Sequence, residues 1–223
     1  MPVKGLRWTA GSAAVVVVLG GSLFGWHRHL DRGVQHPPAV DLSHGECRGT
    51  LDDPRFAATL GSTRQVRVDT TFVPGGSTLP DILSCFVEGE HRRDLSVRVS
   101  GAGDEQDRST LERKDVPADA QSFPGGEAGD GAAVVRFTCV TRSGADGKEL
   151  TWYYTATAAV QNAGGNADPA PGRQKTAELA VAFAHRAAEK ALGCTNAIDL
   201  PEGPYVFSSL PSDLVPPRAG QGS

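Results

Sequence analysis

The sequence predicts an α+β protein in which an antiparallel sheet carries one long C-terminal helix, with a transmembrane helix at the N-terminus. Three observations support this fold class. Residues 8–26 are apolar and uncharged, strand-like alternation recurs between residues 63 and 160, and residues 174–192 form an alanine-rich amphipathic segment. The predicted boundaries are a cytoplasmic tail at 1–7, the transmembrane helix at 8–26, a linker at 27–44, an extracytoplasmic domain at 45–207 and a disordered tail at 208–223.

The N-terminal apolar run is long enough to cross a bilayer. A helix rises ~1.5 Å per residue, so this run would extend roughly 28 Å, close to the hydrocarbon thickness of about 30 Å. Trp8 and Trp26 lie at its two ends, where indole rings favour the lipid–water boundary. The alternative is a signal peptide with Lys4 and Arg7 before the apolar region, followed by secretion. No A-x-A cleavage site follows the run, which favours an uncleaved anchor.

Charge and cysteine content indicate an acidic domain in an oxidising compartment. Of the 22 basic and 26 acidic residues, four basic and one acidic lie in the first 32, so the remainder carries a net charge of −7. This balance argues against nucleic acid and against an anionic lipid surface as partners. Four cysteines without a C-x-x-C motif favour two disulfides over a zinc or redox site. They are Cys47, Cys85, Cys139 and Cys194.

The predicted linker is stiffened by Pro37 and Pro38 and should hold the domain away from the bilayer. Four histidines lie in it, but an extended linker fixes no coordination geometry, so we predict no metal site. These residues are His27, His29, His36 and His44.

A short helix and a strand begin the folded domain. Asp53 can cap the helix, Pro54 suits its first turn and Gly61 can end it. Apolar and charged side chains then alternate over residues 63–73. This alternation predicts a half-buried strand.

Two hairpins that each contain a cysteine follow. The first pairs residues 82–87 with 95–99, and the second pairs 133–140 with 150–160 around an Asp-Gly turn. The intervening residues 101–131 are polar and rich in Gly and Pro, which predicts a long surface loop. Its acidic residues Asp104, Glu105 and Asp107 lack the spacing of a calcium-binding loop.

The long helix is predicted over residues 174–192. Its apolar face consists of Ala177, Ala180, Phe183, Ala184, Ala187, Ala188 and Ala191. Its polar face consists of Lys175, Glu178, His185, Arg186 and Glu189, with His185 expected in solvent. Gly193 can end the helix in the left-handed conformation, so a disulfide at Cys194 would fix the helix end to a strand.

Four cysteines allow three disulfide pairings. We favour Cys47–Cys85 and Cys139–Cys194, because each of these bridges joins a helical end to its own hairpin. Cys85–Cys139 together with Cys47–Cys194 is the alternative.

Two segments carry a resemblance to other proteins. The motif G-E-C-R-G-T-L at residues 45–51 and the ending A-H-R-A-A-E-K-A-L-G-C at residues 184–194 resemble uncharacterised membrane-anchored or secreted proteins of actinobacteria, especially streptomycetes. Arg48 stands where such proteins commonly have an aromatic residue. The resemblance implies an extracytoplasmic α+β domain with disulfides and brings no activity with it.

No catalytic, cofactor-binding or metal-binding residue is predicted, because the nucleophile, zinc and phosphate-binding motifs are absent from the sequence. The sequence therefore favours a membrane-tethered binding domain for an unknown protein or envelope ligand. One alternative is an envelope hydrolase that uses a carboxylate pair, for which Asp69, Asp81 and Glu88 are candidates. Another is a purely structural envelope protein. A sheet groove with Trp152 or Tyr154 exposed would support binding.

Overall fold

The computed structural model describes residues 40–42, 45–61, 63, 65–76, 78–89, 93–103, 116–142, 147–162 and 171–209. The predicted cytoplasmic tail at 1–7, the predicted transmembrane helix at 8–26 and most of the predicted linker at 27–44 lie outside these residues. Among the helices that are described, none is both long enough and apolar enough to cross a membrane.

A seven-stranded sheet forms the centre of the domain. Its strands are β1 (Val66–Val73), β2 (Ile82–Gly89), β3 (Arg93–Ala102), β4 (Gln121–Phe123), β5 (Gly126–Ala128), β6 (Ala132–Arg142) and β7 (Glu149–Asn162). Their order across the sheet is β1-β2-β3-β7-β6-β5-β4, and all neighbours are antiparallel. After β3 the chain crosses to the opposite edge and returns strand by strand until β7 pairs with β3. The α+β class and the antiparallel sheet are confirmed.

One face of the sheet forms the hydrophobic core, because every second side chain in each strand points to it. The strongest example is the pairing of β2 with β3. Leu83, Cys85 and Val87 lie opposite Val99, Val97 and Leu95, and all six side chains are fully buried. The half-buried strand predicted over residues 63–73 is confirmed as β1.

The long helix consists of an α-helix, α2 (Arg173–Arg186), continued by a π-helical segment, Ala187–Leu192. The predicted bounds are therefore confirmed to within a residue, and Gly193 is left-handed with φ 64° and ψ 39°. Its first turn is docked on the sheet, since Thr176 Oγ1 donates to the Gly129 carbonyl at 2.7 Å.

The predicted division of this helix into an apolar and a polar face is wrong in part. Leu179, Val181 and Ala182, which the predicted apolar face leaves out, are also buried. α1 (Pro54–Leu60) packs against β3 and lies beside the first turn of the long helix, and the C-terminal segment at 197–208 contacts that helix through hydrogen bonds at Gln174 and His185. His185 was expected in solvent, but its Nε2 lies 3.2 Å from the Leu200 carbonyl oxygen.

The N-terminal part of the domain is held in the same core. Asp53 caps α1, with its side chain accepting from the Arg55 N–H at 3.0 Å, and Pro54 begins the helix as predicted. A 3-10 turn, Glu46–Gly49, precedes it. Leu42 belongs to the predicted linker but is buried, so the end of that linker packs into the domain.

The surface loop predicted over residues 101–131 is wrong in its second half, which contains β4 and β5. Three-residue strands are too short to produce a readable alternation, so the sequence pattern misses them. They are stabilised from a distance: the Phe123 ring lies 4.7 Å from Tyr205 and 5.9 Å from Phe207. Ser208, the first residue of the predicted disordered tail, pairs with β4, and residues 210–223 lie outside the described residues.

Candidate functional site

All four predicted cysteines form disulfides in the favoured pairing. Cys47 is bonded to Cys85 and Cys139 to Cys194, with Cα–Cα distances of 5.8 and 5.2 Å. The first bond joins the 3-10 turn to β2, and the second joins the end of the long helix to β6. No described cysteine is left as a free thiol, so none can serve as a nucleophile.

The structure does not bring all three of the acids considered for hydrolysis together. Asp69 lies opposite Phe86 and Glu88 opposite Arg67, so both acids lie towards one end of the β1–β2 pair. Asp81 lies at the other end, beyond the Val73–Ile82 pair. Asp69 also forms an exposed ion pair with Arg67 at 3.3 Å. Asp81 is therefore separated from the other two, whereas Asp69 and Glu88 occupy diagonal positions on the exposed face of the pair.

Within the described ranges, no group of three or more His, Cys, Asp and Glu side chains could hold a metal ion. The linker histidines His27, His29, His36 and His44 lie outside those ranges. The same holds for the acidic residues considered for calcium, Asp104, Glu105 and Asp107.

A cavity of about 320 Å³ lies between α1 and the first turn of α2. Its charged lining residues are Arg55, Arg173, Lys175 and Glu178. Two of these cations are bound by the protein itself. Arg55 makes a two-pronged contact with Asp53 at 2.8 and 2.9 Å, and this contact lowers the pKa of Asp53.

The second cation, Arg173, donates to the backbone carbonyls of Ala128 and Asp119 at 3.1 and 3.2 Å. Gln174, which also lines the cavity, donates to Glu178 at 2.8 Å and accepts from the Tyr205 N–H at 3.1 Å. Most of the polar groups around this cavity therefore already hold α1, β5 and the C-terminal segment in place. We assign the cavity a structural role.

The outer face of the sheet contains a buried ion pair that the sequence did not indicate. Arg136 of β6 contacts Glu127 of β5 at 2.5 Å, and the exposed fractions of their side chains are 22% and 6%. The two residues are nine positions apart and lie in strands that become neighbours only when the β5 turn is formed. Removing either partner would leave the other charge buried, so this pair is structural.

The β1–β2 hairpin is the candidate interaction surface. β1 is an edge strand, and no other described strand pairs with its outer side. Three large apolar side chains are exposed on this hairpin: Val73 (50%), Leu79 (67%) and Phe86 (39%). Val206 is the other large apolar residue exposed in the described part of the chain. Val73 lies in the edge strand, Leu79 in the turn and Phe86 in β2, so this hairpin carries most of the large apolar side chains that are exposed among the described residues.

The tip of this hairpin is held in a fixed shape. The Gly76 N–H donates to the Leu79 carbonyl at 2.8 Å, and the Gly75 N–H donates to the Asp81 carboxylate. The Asp81 N–H in turn donates to the Tyr154 hydroxyl at 3.2 Å. Burial, with a smaller contribution from the Asp81 charge, raises the pKa of Tyr154 to about 12. The exposed Leu79 is thereby anchored to the centre of the sheet.

Sequence reasoning missed this surface. The aromatic residues that it offered for binding, Trp152 and Tyr154, are buried on the core face. Phe86 is exposed because it alternates with Cys85 and Val87, which face the core. The sequence predicts this alternation of buried and exposed positions if Cys85 is buried in a disulfide.

No family model, curated protein or solved structure matches the chain.

Proposed function

We propose that this protein is a membrane-tethered extracytoplasmic domain that binds a protein or envelope partner through its β1–β2 hairpin. The apolar run at residues 8–26 supports the tether, and the two disulfides support an oxidising location. Secretion after cleavage of that run is the alternative localisation. The net charge of −7 beyond residue 32 makes nucleic acid an unsuitable partner.

The observation that carries the binding proposal is the composition of the hairpin surface. Among the described residues, three of the four exposed large apolar side chains lie on the β1–β2 hairpin, and β1 is the longer of the two edge strands. Aromatic side chains, including Phe, are enriched at protein interfaces relative to the rest of the surface. An extended edge strand can add main-chain hydrogen bonds to a partner strand.

Location is tested by labelling intact cells that produce the chain with a membrane-impermeant, amine-reactive reagent. The exposed Lys148 of the domain should be modified, whereas Lys4 should be modified only after the cells are opened. Absence of Lys4 from the mature chain would establish cleavage and secretion. Protection of Lys148 in intact cells would place the domain inside and refute the proposed location.

Binding is tested with a photoreactive phenylalanine analogue at position 86 and, as the control, at Val206. Both positions are exposed and apolar, but only Phe86 lies on the hairpin. Irradiation of intact cells should give a covalent adduct from position 86 and none from position 206. Equal yields, or no adduct from either position, would exclude the hairpin as the contact surface.

A further inference from the structure

We propose that the partner of the hairpin is a second copy of this chain, with β1 pairing to β1 in antiparallel fashion about a two-fold axis through Val68. This inference rests on the proposed function, because it uses the same surface. It specifies the occupant, the register and the residues that select that register.

The two edges of the sheet differ in how they are protected. β4 has three residues, and its free side is closed by a two-hydrogen-bond bridge between Ser122 and Ser208, both at 2.9 Å. β1 has eight residues with the sequence V-R-V-D-T-T-F-V and contains neither Gly nor Pro. A long edge of β-branched and aromatic residues is a template for another strand unless charges prevent the pairing.

The charges on β1 are Arg67 and Asp69, and they select the register. A two-fold axis perpendicular to the sheet keeps both helical layers on one side and places one β1 residue opposite its own copy. An axis through Arg67 or Asp69 would place like charges directly opposite, which is destabilising. An axis through Val68 places each Arg67 opposite the other copy's Asp69, so both cross-strand pairs are attractive.

An axis through Thr70 also avoids like charges, but it conflicts with the 3-10 turn. Thr70 Oγ1 lies 3.6 Å from the Cys47 sulfur, and the Arg48 guanidinium lies 4.1 Å from the centre of the Phe72 ring. The turn therefore lies over the Thr70 end of β1. Centring the dimer there would bring two such turns together, whereas centring it on Val68 separates them.

The proposed tether gives a second argument for self-pairing. Cys47 is bonded to Cys85, which faces the helical layer, so the start of the domain lies on that side of the sheet. The two-fold axis puts both domain starts on the same side. Two tethered copies share one surface, and their raised effective concentration allows an edge interface of modest affinity to be occupied.

Charge reversal tests the register, using the full-length chain in detergent micelles. Arg67→Asp and Asp69→Arg should each replace two attractive cross-strand pairs with two repulsive ones. Sedimentation velocity over a range of concentrations should show a dimer for the original chain and dissociation constants about tenfold higher or more for each variant. An equimolar mixture of the two variants should recover the dimer, because attractive pairs form again between unlike copies.

The matched control is reversal of Arg142 and Glu149, singly. Arg142 and Glu149 face each other across β6 and β7 of one chain, and their exposed fractions of 68% and 61% resemble the 72% and 58% of Arg67 and Asp69. They lie on the β6–β7 hairpin, so the control variants should sediment like the original chain. Each variant keeps residues 8–26, so association through that run cannot explain a difference between them. Circular dichroism of each variant checks that it is folded.

The outcomes separate the two proposals. A monomeric original chain, or reversal variants that dimerise like it, would overturn the self-pairing. If Phe86 then gives an adduct of a mass other than twice the chain, the hairpin still binds a partner and only this inference fails. A mixture of the two variants that stays monomeric while both are folded would also overturn the register.

Discussion

Removal of the disulfides tests the part of the structure on which the proposed location depends. We consider two paired replacements, Cys139→Ser with Cys194→Ser, and Cys47→Ser with Cys85→Ser. The sequence separations are 55 and 38 residues. The entropy of loop closure in the unfolded chain predicts a loss of about 4 kcal/mol for each pair, differing between them by only about 0.3 kcal/mol.

The local consequences should differ more than the global ones. The Thr195 N–H donates to the Val140 carbonyl at 2.7 Å, and Asn196 exchanges hydrogen bonds with β6 at 2.7 and 2.9 Å. The end of the long helix is thus held on β6 even without its disulfide. The 3-10 turn contacts β1 through Arg48, which lies over the Phe72 ring, and through the Cys47 sulfur, which belongs to the disulfide itself.

The assay is urea unfolding, followed by circular dichroism and by the fluorescence of Trp152, which is buried opposite Cys139. Both paired variants should lose similar free energies of unfolding. In native-state hydrogen exchange, the amides of residues 45–51 should lose protection in the Cys47/Cys85 variant. The amides of residues 194–196 should keep their protection in the Cys139/Cys194 variant. A loss of less than about 1 kcal/mol for either pair would refute the loop-closure argument.

Three further changes have expected outcomes. The pKa of Tyr154 is about 12 in the folded protein and about 10 in the unfolded chain. This difference stabilises the folded protein fully below about pH 10, and the stabilisation is lost as the pH rises from about 10 to 12. Tyr154→Phe should abolish that alkaline loss, worth about 3 kcal/mol, in urea titrations at several pH values. Asp53→Ala should cost about 1 kcal/mol through the lost helix cap. Because Arg55 lowers the pKa of Asp53 below 3.8, that contribution should disappear as the pH falls through the lowered pKa. Phe183→Ala should cost about 3–5 kcal/mol in the same unfolding assay, because its ring is fully buried.

The sequence predicted those elements whose signal is local. Alternation over β1 and the capping residues of α1 report directly on backbone conformation, and both elements form where predicted. The disulfide pairing was also predictable, because Cys47 and Cys194 each lie at a helical end near one hairpin. β4 and β5 were not, since their stability comes from Tyr205 and Phe207, more than 75 positions later in the chain.

The burial of the long helix shows a second limit. A helical wheel distinguishes apolar from charged positions, and it correctly assigned Phe183 and the alanines to the sheet. Leu179 and Val181 could face only solvent in that two-layer picture. They are nevertheless buried, and the contacts that the C-terminal segment makes at Gln174 and His185 show that distant parts of the chain return to this helix.

The candidate interaction surface could not be predicted from the sequence either, because it also depends on contacts between distant parts of the chain. Whether β1 is an edge strand depends on strand order. That order follows from the pairing of β7 with β3, in which Val160 lies opposite Leu95. Had β7 paired with β1 instead, the same eight residues would be central, and Arg67 and Asp69 would be charges on a protected strand. Two opposite charges that are two residues apart can select a partner strand only if their own strand lies at the edge of the sheet. The free side of β1 is therefore a product of topology, and the charge-reversal experiment tests whether its charges select a second copy.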